Sequence, residues 1–171
     1  PEEKEHLLRL GDICVAKGKM LQAKYYYKKS LQCGTRRIYR RHTECADRLF
    51  HHFGDNDGAM RLLKKAEEMD GRSVWSAGDD QRIQNLMLQA RIQYLEKRWG
   101  EAARCARLAL DLMLRGYISE KIYVSYPAER PQRLSKVGEC YLYMGETEKA
   151  LAYFEQTREG LRCKYCREPE C

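Results

Sequence analysis

The sequence predicts an all-α protein built from successive antiparallel helix pairs. Two observations predict it. Helix breakers are scarce, with 4 Pro and 12 Gly in 171 residues, whereas the good helix formers Leu, Ala, Glu, Lys and Arg abound. A ladder of small and aromatic residues also recurs at fixed offsets. It runs Gly11, Cys14, Gly18, Ala23, Tyr27 near the start and Gly138, Tyr141, Gly145, Ala150, Phe154 near the end. The members after each leading glycine lie 3, 7, 12 and 16 residues on in both copies.

Each rung has a physical reason. Gly11 and Gly138 leave room for a neighbouring helix to approach. Gly18 and Gly145 stand where a first helix stops in a left-handed cap. Ala23 and Ala150 lie one turn into a second helix, where little space remains. Tyr27 and Phe154, a turn later, fill the gap between the two helices. The unit is a helical hairpin with a short corner.

Two weaker copies lie between. In one, Gly54 is the corner, Ala59 the small site, Leu63 the filler and Ala66 the next turn. In the other, Ala90, Ala102, Ala106 and Ala109 match, Lys97 replaces the corner glycine, and Trp99 is expected to plug the corner. Helices are expected near 4–17, 20–33, 37–53, 57–69, 81–96, 99–116, 131–144 and 147–162. They form hairpins of about 4–34, 37–70, 81–116 and 131–162, which make residues 1–162 one repeat domain.

This ladder resembles the tetratricopeptide repeat family. The resemblance covers about four-fifths of the chain. It implies a right-handed superhelical stack, an α-solenoid whose neighbouring hairpins share one core. The small-site alanines Ala23, Ala59, Ala102 and Ala150 are 36, 43 and 48 residues apart, against a family repeat of about 34. The extra length falls at GRSVWSAGDD (71–80) and YISEKIYVSYPAERP (117–131).

Composition bounds the function. With 43% hydrophobic and 33% charged residues, the chain reads as globular with a charged surface. No run approaches the ~18 apolar residues of a membrane span, and PEEKEHLLRL is no secretory signal. Cys14, Cys33, Cys45, Cys105 and Cys140 are far apart, so free thiols in a reducing, cytoplasmic setting are expected. No initiator Met precedes Pro1, and a longer parent chain is expected. There is no GxSxG, GxxxxGK[ST] or HExxH motif, and the only histidines are His6, His42, His51 and His52. No enzymatic activity is expected.

The resemblance implies a binding site on the concave face, lined by the first helix of each hairpin. The family positions fall on Glu5, Leu8, Asp12 and Val15, then Arg41, Glu44, Arg48 and His51, then Gln84, Met87, Arg91 and Tyr94, then Gln132, Ser135, Glu139 and Leu142. The residues expected to hold a peptide or protein segment are Arg41, Arg48, His51, Met87, Arg91, Tyr94 and Glu139. Arginine forks suit a carboxylate or an acidic peptide. Solvated charges on an exposed helix are the alternative for the same residues. Members of the family that hold chaperone tails carry a Lys and an Asn in the first helix. Here Leu8 and Asp12 stand in those places, and an acid there repels a carboxylate.

The net charge of +7 is uneven. Residues 1–54 hold twelve Lys and Arg against six Asp and Glu. RRIYRRHTECADRLFHH (36–52) alone holds five Arg and three His, which keeps nucleic acid open as an alternative partner. A regulatory or oligomerising segment of a larger protein is a third possibility. The end of the chain, RCKYCREPEC, reads as a Cys-containing tail (163–171) or the start of a further repeat. Cys163 and Cys166 have half-site spacing for zinc, with Cys171 as a third ligand. A fourth ligand is missing, so an ordinary loop with no metal or cofactor is expected, and zinc and a redox pair are the alternatives.

Overall fold

The computed structural model describes residues 3–32, 38–70, 78–117 and 130–165. Those residues form eight α-helices and no strand: α1 Glu3–Ala16, α2 Met20–Leu31, α3 Ile38–Phe53, α4 Asn56–Asp70, α5 Asp79–Leu95, α6 Trp99–Tyr117, α7 Arg130–Tyr143 and α8 Thr147–Tyr165. The spans agree with the sequence expectation to within three residues. The largest departure is α8, which continues to Tyr165. Cys163 therefore falls within its last turn rather than in a linker. Cys166 and Cys171, most of 71–80 and most of 117–131 lie outside the described residues.

Four tight corners organise the described residues, each with its corner residue in the left-handed conformation. Gly18, Gly54 and Gly145 have φ of 71°, 60° and 80°, and Lys97 takes the same left-handed conformation at 61°. At three corners, the corner residue donates its N–H three residues back and the next residue donates five back. The pairs are Gly18 to Val15 with Lys19 to Cys14, Lys97 to Tyr94 with Arg98 to Gln93, and Gly145 to Leu142 with Glu146 to Tyr141, at 2.8–3.0 Å. These bonds satisfy carbonyls that the helix end leaves open. The second helix then starts in one register everywhere. Ala23, Ala59, Ala102 and Ala150 each donate to the residue just past the corner, at 2.9–3.0 Å. All four are at most 2% exposed.

The Gly54 corner is wound differently. Gly54 donates to Phe50, and Asp55 reaches six residues back to Leu49 at 3.1 Å. One additional residue is accommodated there. The buried small residue of α3 is accordingly Ala46, nine positions before Asp55. Gly11, Ala90 and Gly138 each stand eight before their counterparts Lys19, Arg98 and Glu146. Asp55 also caps α4, accepting the Gly58 N–H at 2.8 Å.

The chain divides into two compact units, Pro1–Gln81 and Arg82–Cys171. In the first, Leu8, Cys14, Ala23, Tyr27 and Cys45 form a core to which Val15, Leu31, Phe53 and Leu62 add their partly buried sides. A Cβ on Gly11 would come within 2.1 Å of the Tyr27 ring, so the aromatic filler sits directly on the glycine. Ser30 donates to the Tyr27 carbonyl at 2.6 Å and its Oγ lies 3.3 Å from the Cys45 Sγ, joining α2 to α3.

In the second unit, Ile83, Ala90, Cys105, Ala106, Ala109, Leu110, Met113, Cys140 and Tyr143 form the core. Phe154 is the counterpart of Tyr27; a Cβ on Gly138 would meet it at 2.8 Å. The α5–α6 hairpin buries Ala90, Ala102, Ala106 and Ala109 completely. It also buries an unexpected ladder of amides, Asn85, Gln89 and Gln93. Gln89 donates to Asn85 at 2.6 Å and Gln93 to Glu101 at 3.3 Å. Trp99 does not plug its corner: it is 53% exposed, with its ring edge-on to Tyr94 at 4.8 Å. As the first residue of α6, it projects from the outside of the turn.

Candidate functional site

The arginine-bearing helix α3 supplies three residues of the expected site. Arg48 is spoken for. Its Nε and Nη2 donate to the two oxygens of Asp12 on α1 at 2.7 and 2.9 Å, and Nη1 donates to the Glu44 carbonyl at 3.0 Å. The guanidinium also lies 6.0 Å from the centre of the Tyr27 ring. Asp12 in turn accepts the Tyr27 hydroxyl at 2.7 Å. Burial alone would raise the Asp12 carboxyl. The hydrogen bonds from Arg48 and Tyr27, together with the Arg48 charge, outweigh it and hold the carboxyl below its ordinary range. The fork that the sequence offered to a ligand carboxylate is occupied by the protein's own, and it ties α1, α2 and α3 together.

The additional residue before Gly54 explains the misplacement. Counting back from the corner puts Arg41, Glu44 and Arg48 one residue, about 100° of helix, past the positions equivalent to those of the other hairpins. The equivalents are Arg40, Thr43 and Asp47. Arg40 pairs with Glu44 at 2.6 Å. Thr43 is buried and donates to the Tyr39 carbonyl. Asp47 faces the His51 Nε2 at 3.2 Å, and the His51 ring packs edge-on against Phe50. Arg41 is half-buried on α3. For nucleic acid, the arginine run is weaker than its composition suggests, because Arg40 and Arg48 are paired internally. Arg36 and Arg37 lie outside the described residues.

The other four expected residues converge in the second unit. Met87, Arg91 and Tyr94 follow one another along α5 at helical spacing, and Glu139 stands on α7. The two helices touch where the Met87 Sδ lies 3.2 Å from the Cys140 Sγ and where Tyr94 and Tyr143 lie 5.3 Å apart, tilted at 51°. Tyr94 also meets Trp99, so three aromatic rings form a connected edge. Burial raises the Glu139 carboxyl, and the nearby charges of Arg91 and Lys136 counter this only in part. Burial also pushes the Tyr143 hydroxyl up to about 12, with the Glu139 charge adding to it. An acid held above its usual range beside a cation and aromatic rings, on a half-exposed face, marks a place suited to ligand contact.

The sequence missed one feature. Between α2, α3 and α4 lies a pocket of about 290 Å³ that includes none of the expected site residues. Its walls come from second helices and from the back of α3, which the ladder assigns to packing. Among the described residues, no three His, Cys, Asp or Glu side chains converge to hold a metal ion. No described helix is long and apolar enough to cross a membrane. Neither protein-family models nor curated proteins match this chain.

Proposed function

We propose that the protein is a tetratricopeptide-type repeat scaffold, non-enzymatic, that docks a peptide or protein segment against the first helices of its hairpins. In this proposal the hairpins continue into a right-handed superhelical stack. Four left-handed corners, three of them with a common cap, and a common buried alanine after each support the repeat. The convergence of Met87, Arg91, Tyr94 and Glu139 from α5 and α7, the first helices of successive hairpins, carries the binding role. Tyr94 and Trp99 supply apolar contact, Arg91 attracts an acidic group, and Glu139 selects against a second acid close by. Cys14, Cys45, Cys105 and Cys140 form no disulfide, which supports a reducing compartment.

Selection of a random peptide library on the immobilised protein tests this. Peptides with an acidic residue beside an apolar one are expected. Their affinity should fall at least about tenfold in Arg91→Glu, the effect of losing one charge-assisted hydrogen bond, and also in Tyr94→Ala. Peptides that bind both variants as well as the parent, or a library that enriches nothing, would overturn the proposal.

A further inference from the structure

The pocket between α2, α3 and α4 has an apolar floor and a basic rim. Tyr27 and Cys45, both nearly inaccessible, lie at its base, and Leu31, Leu49 and Leu62 form its sides. Three exposed cations also line it: Lys24 and Lys28, one turn apart on α2, and Arg61 on α4. One acid, Asp55, shares the rim, and its carboxylate is already engaged by the Gly58 N–H at the start of α4. The Lys24 ammonium lies 4.8 Å from the centre of the Phe53 ring. The Cys45 thiol, pushed up to about 11 by burial, stays protonated at neutral pH and behaves as apolar wall.

Three cations over an aliphatic slot are complementary to one kind of occupant: a molecule with a hydrocarbon part and a single anionic head. At about 290 Å³, the space is at the low end of small-molecule sites, about 300–1,000 Å³. We propose that the first unit binds a small amphipathic carboxylate here, its tail among Leu31, Leu49 and Leu62 and its carboxylate between the α2 lysines and Arg61. An arginine fork with flanking lysines gives the head charge-assisted hydrogen bonds. Because the cations are exposed, the affinity should fall with salt. The proposal uses no residue of the α5–α7 face, so the two stand or fall separately.

Titration of the full chain with decanoate, followed by methyl NMR, tests it. Saturable one-to-one shifts at Leu31, Leu49 and Leu62 are expected. Decanol, with the tail but no charge, and acetate, with the charge but no tail, should each bind at least about tenfold more weakly. Lys28→Gln and Arg61→Gln alter exposed side chains and leave folding intact. Each should weaken decanoate several-fold without changing the thermal midpoint. Leu62→Trp should fill the slot and abolish binding. Three results would overturn the assignment: no saturable shift, shifts outside the pocket, or decanoate binding that decanol matches and the two charge variants leave unchanged.

Discussion

Each unit brings an acid and a cation together on the first helices of successive hairpins, but in opposite order. In the first unit the acid comes first: Asp12 on α1 meets Arg48 on α3. In the second the cation comes first, with Arg91 on α5 near Glu139 on α7. The outcomes differ. Asp12 receives three hydrogen bonds and its carboxyl is held low. Glu139 is buried faster than its neighbours compensate, and its carboxyl is held high. An acid and a cation on neighbouring first helices serve as a clasp in one unit and stay electrostatically unfinished in the other. Compensation, not the residue types, separates a structural ion pair from a candidate site.

The largest expected effect tests the packing behind the clasp. Tyr27 is 2% exposed and anchored to Asp12, so it cannot retreat from a methyl group on Gly11. Gly11→Ala should destabilise the protein by about 3 kcal/mol in urea unfolding, the high end for overpacking. Gly138→Ala should cost about 1 kcal/mol or less, because half-buried Phe154 can turn aside and alanine gains helix propensity. Equal losses would remove the distinction between the two fillers.

Next comes the clasp itself. Asp12→Asn should cost roughly 1–2 kcal/mol, the value of charged hydrogen bonds discounted for partial exposure. The sign of the pH dependence follows from the lowered carboxyl. Its stabilisation is fully present above the ordinary value of 3.8 and is lost as pH falls through the lower folded value. The stability gap between parent and variant should therefore be constant near neutrality and close below about pH 4. A gap that persists in acid would mean that Asp12 acts through packing alone.

Of similar modest size, Lys97→Gly should stabilise the second unit by about 1 kcal/mol, since a side chain in the left-handed region is strained. Its corner is otherwise bonded like those of Gly18 and Gly145. A neutral result would show that contacts of the Lys97 side chain offset the strain.

The smallest effect belongs to Glu139→Gln, and it has the opposite sign to Asp12→Asn. Removing a poorly compensated, partly buried charge should raise the urea midpoint at neutral pH. That advantage should shrink as pH falls toward 4.5, the ordinary value, because the parent carboxyl becomes protonated in the fold. Destabilisation at neutral pH would mean that Arg91 and Lys136 compensate Glu139 fully.

Local signals made the hairpins legible in the sequence. Glycine at a left-handed corner, alanine five residues on and an aromatic residue four beyond that are all set by backbone sterics and helix period, which act over a few residues. Even Lys97 could be placed at a corner from its neighbours. The second hairpin escaped because its additional residue is absorbed in a wider turn, Asp55 to Leu49. Nothing in the residue types around Gly54 reports that, and the count back to Arg48 slips by one. In the second unit no residue intervenes, so Met87, Arg91, Tyr94 and Glu139 could be counted onto one face.

By itself, then, the sequence determined the helices, their corners and which small residues face which fillers, because those follow from chain geometry over one or two helical turns. Tertiary structure alone decided which charges are consumed. Asp12 and Arg48 are 36 residues apart, and only packing of α1 on α3 reveals that an acid, once seen as repelling a ligand, is the arginine's partner. The pocket beneath Lys24, Lys28 and Arg61 is likewise assembled from three helices. A cavity is the space that several elements fail to fill, and no single stretch of sequence encodes it.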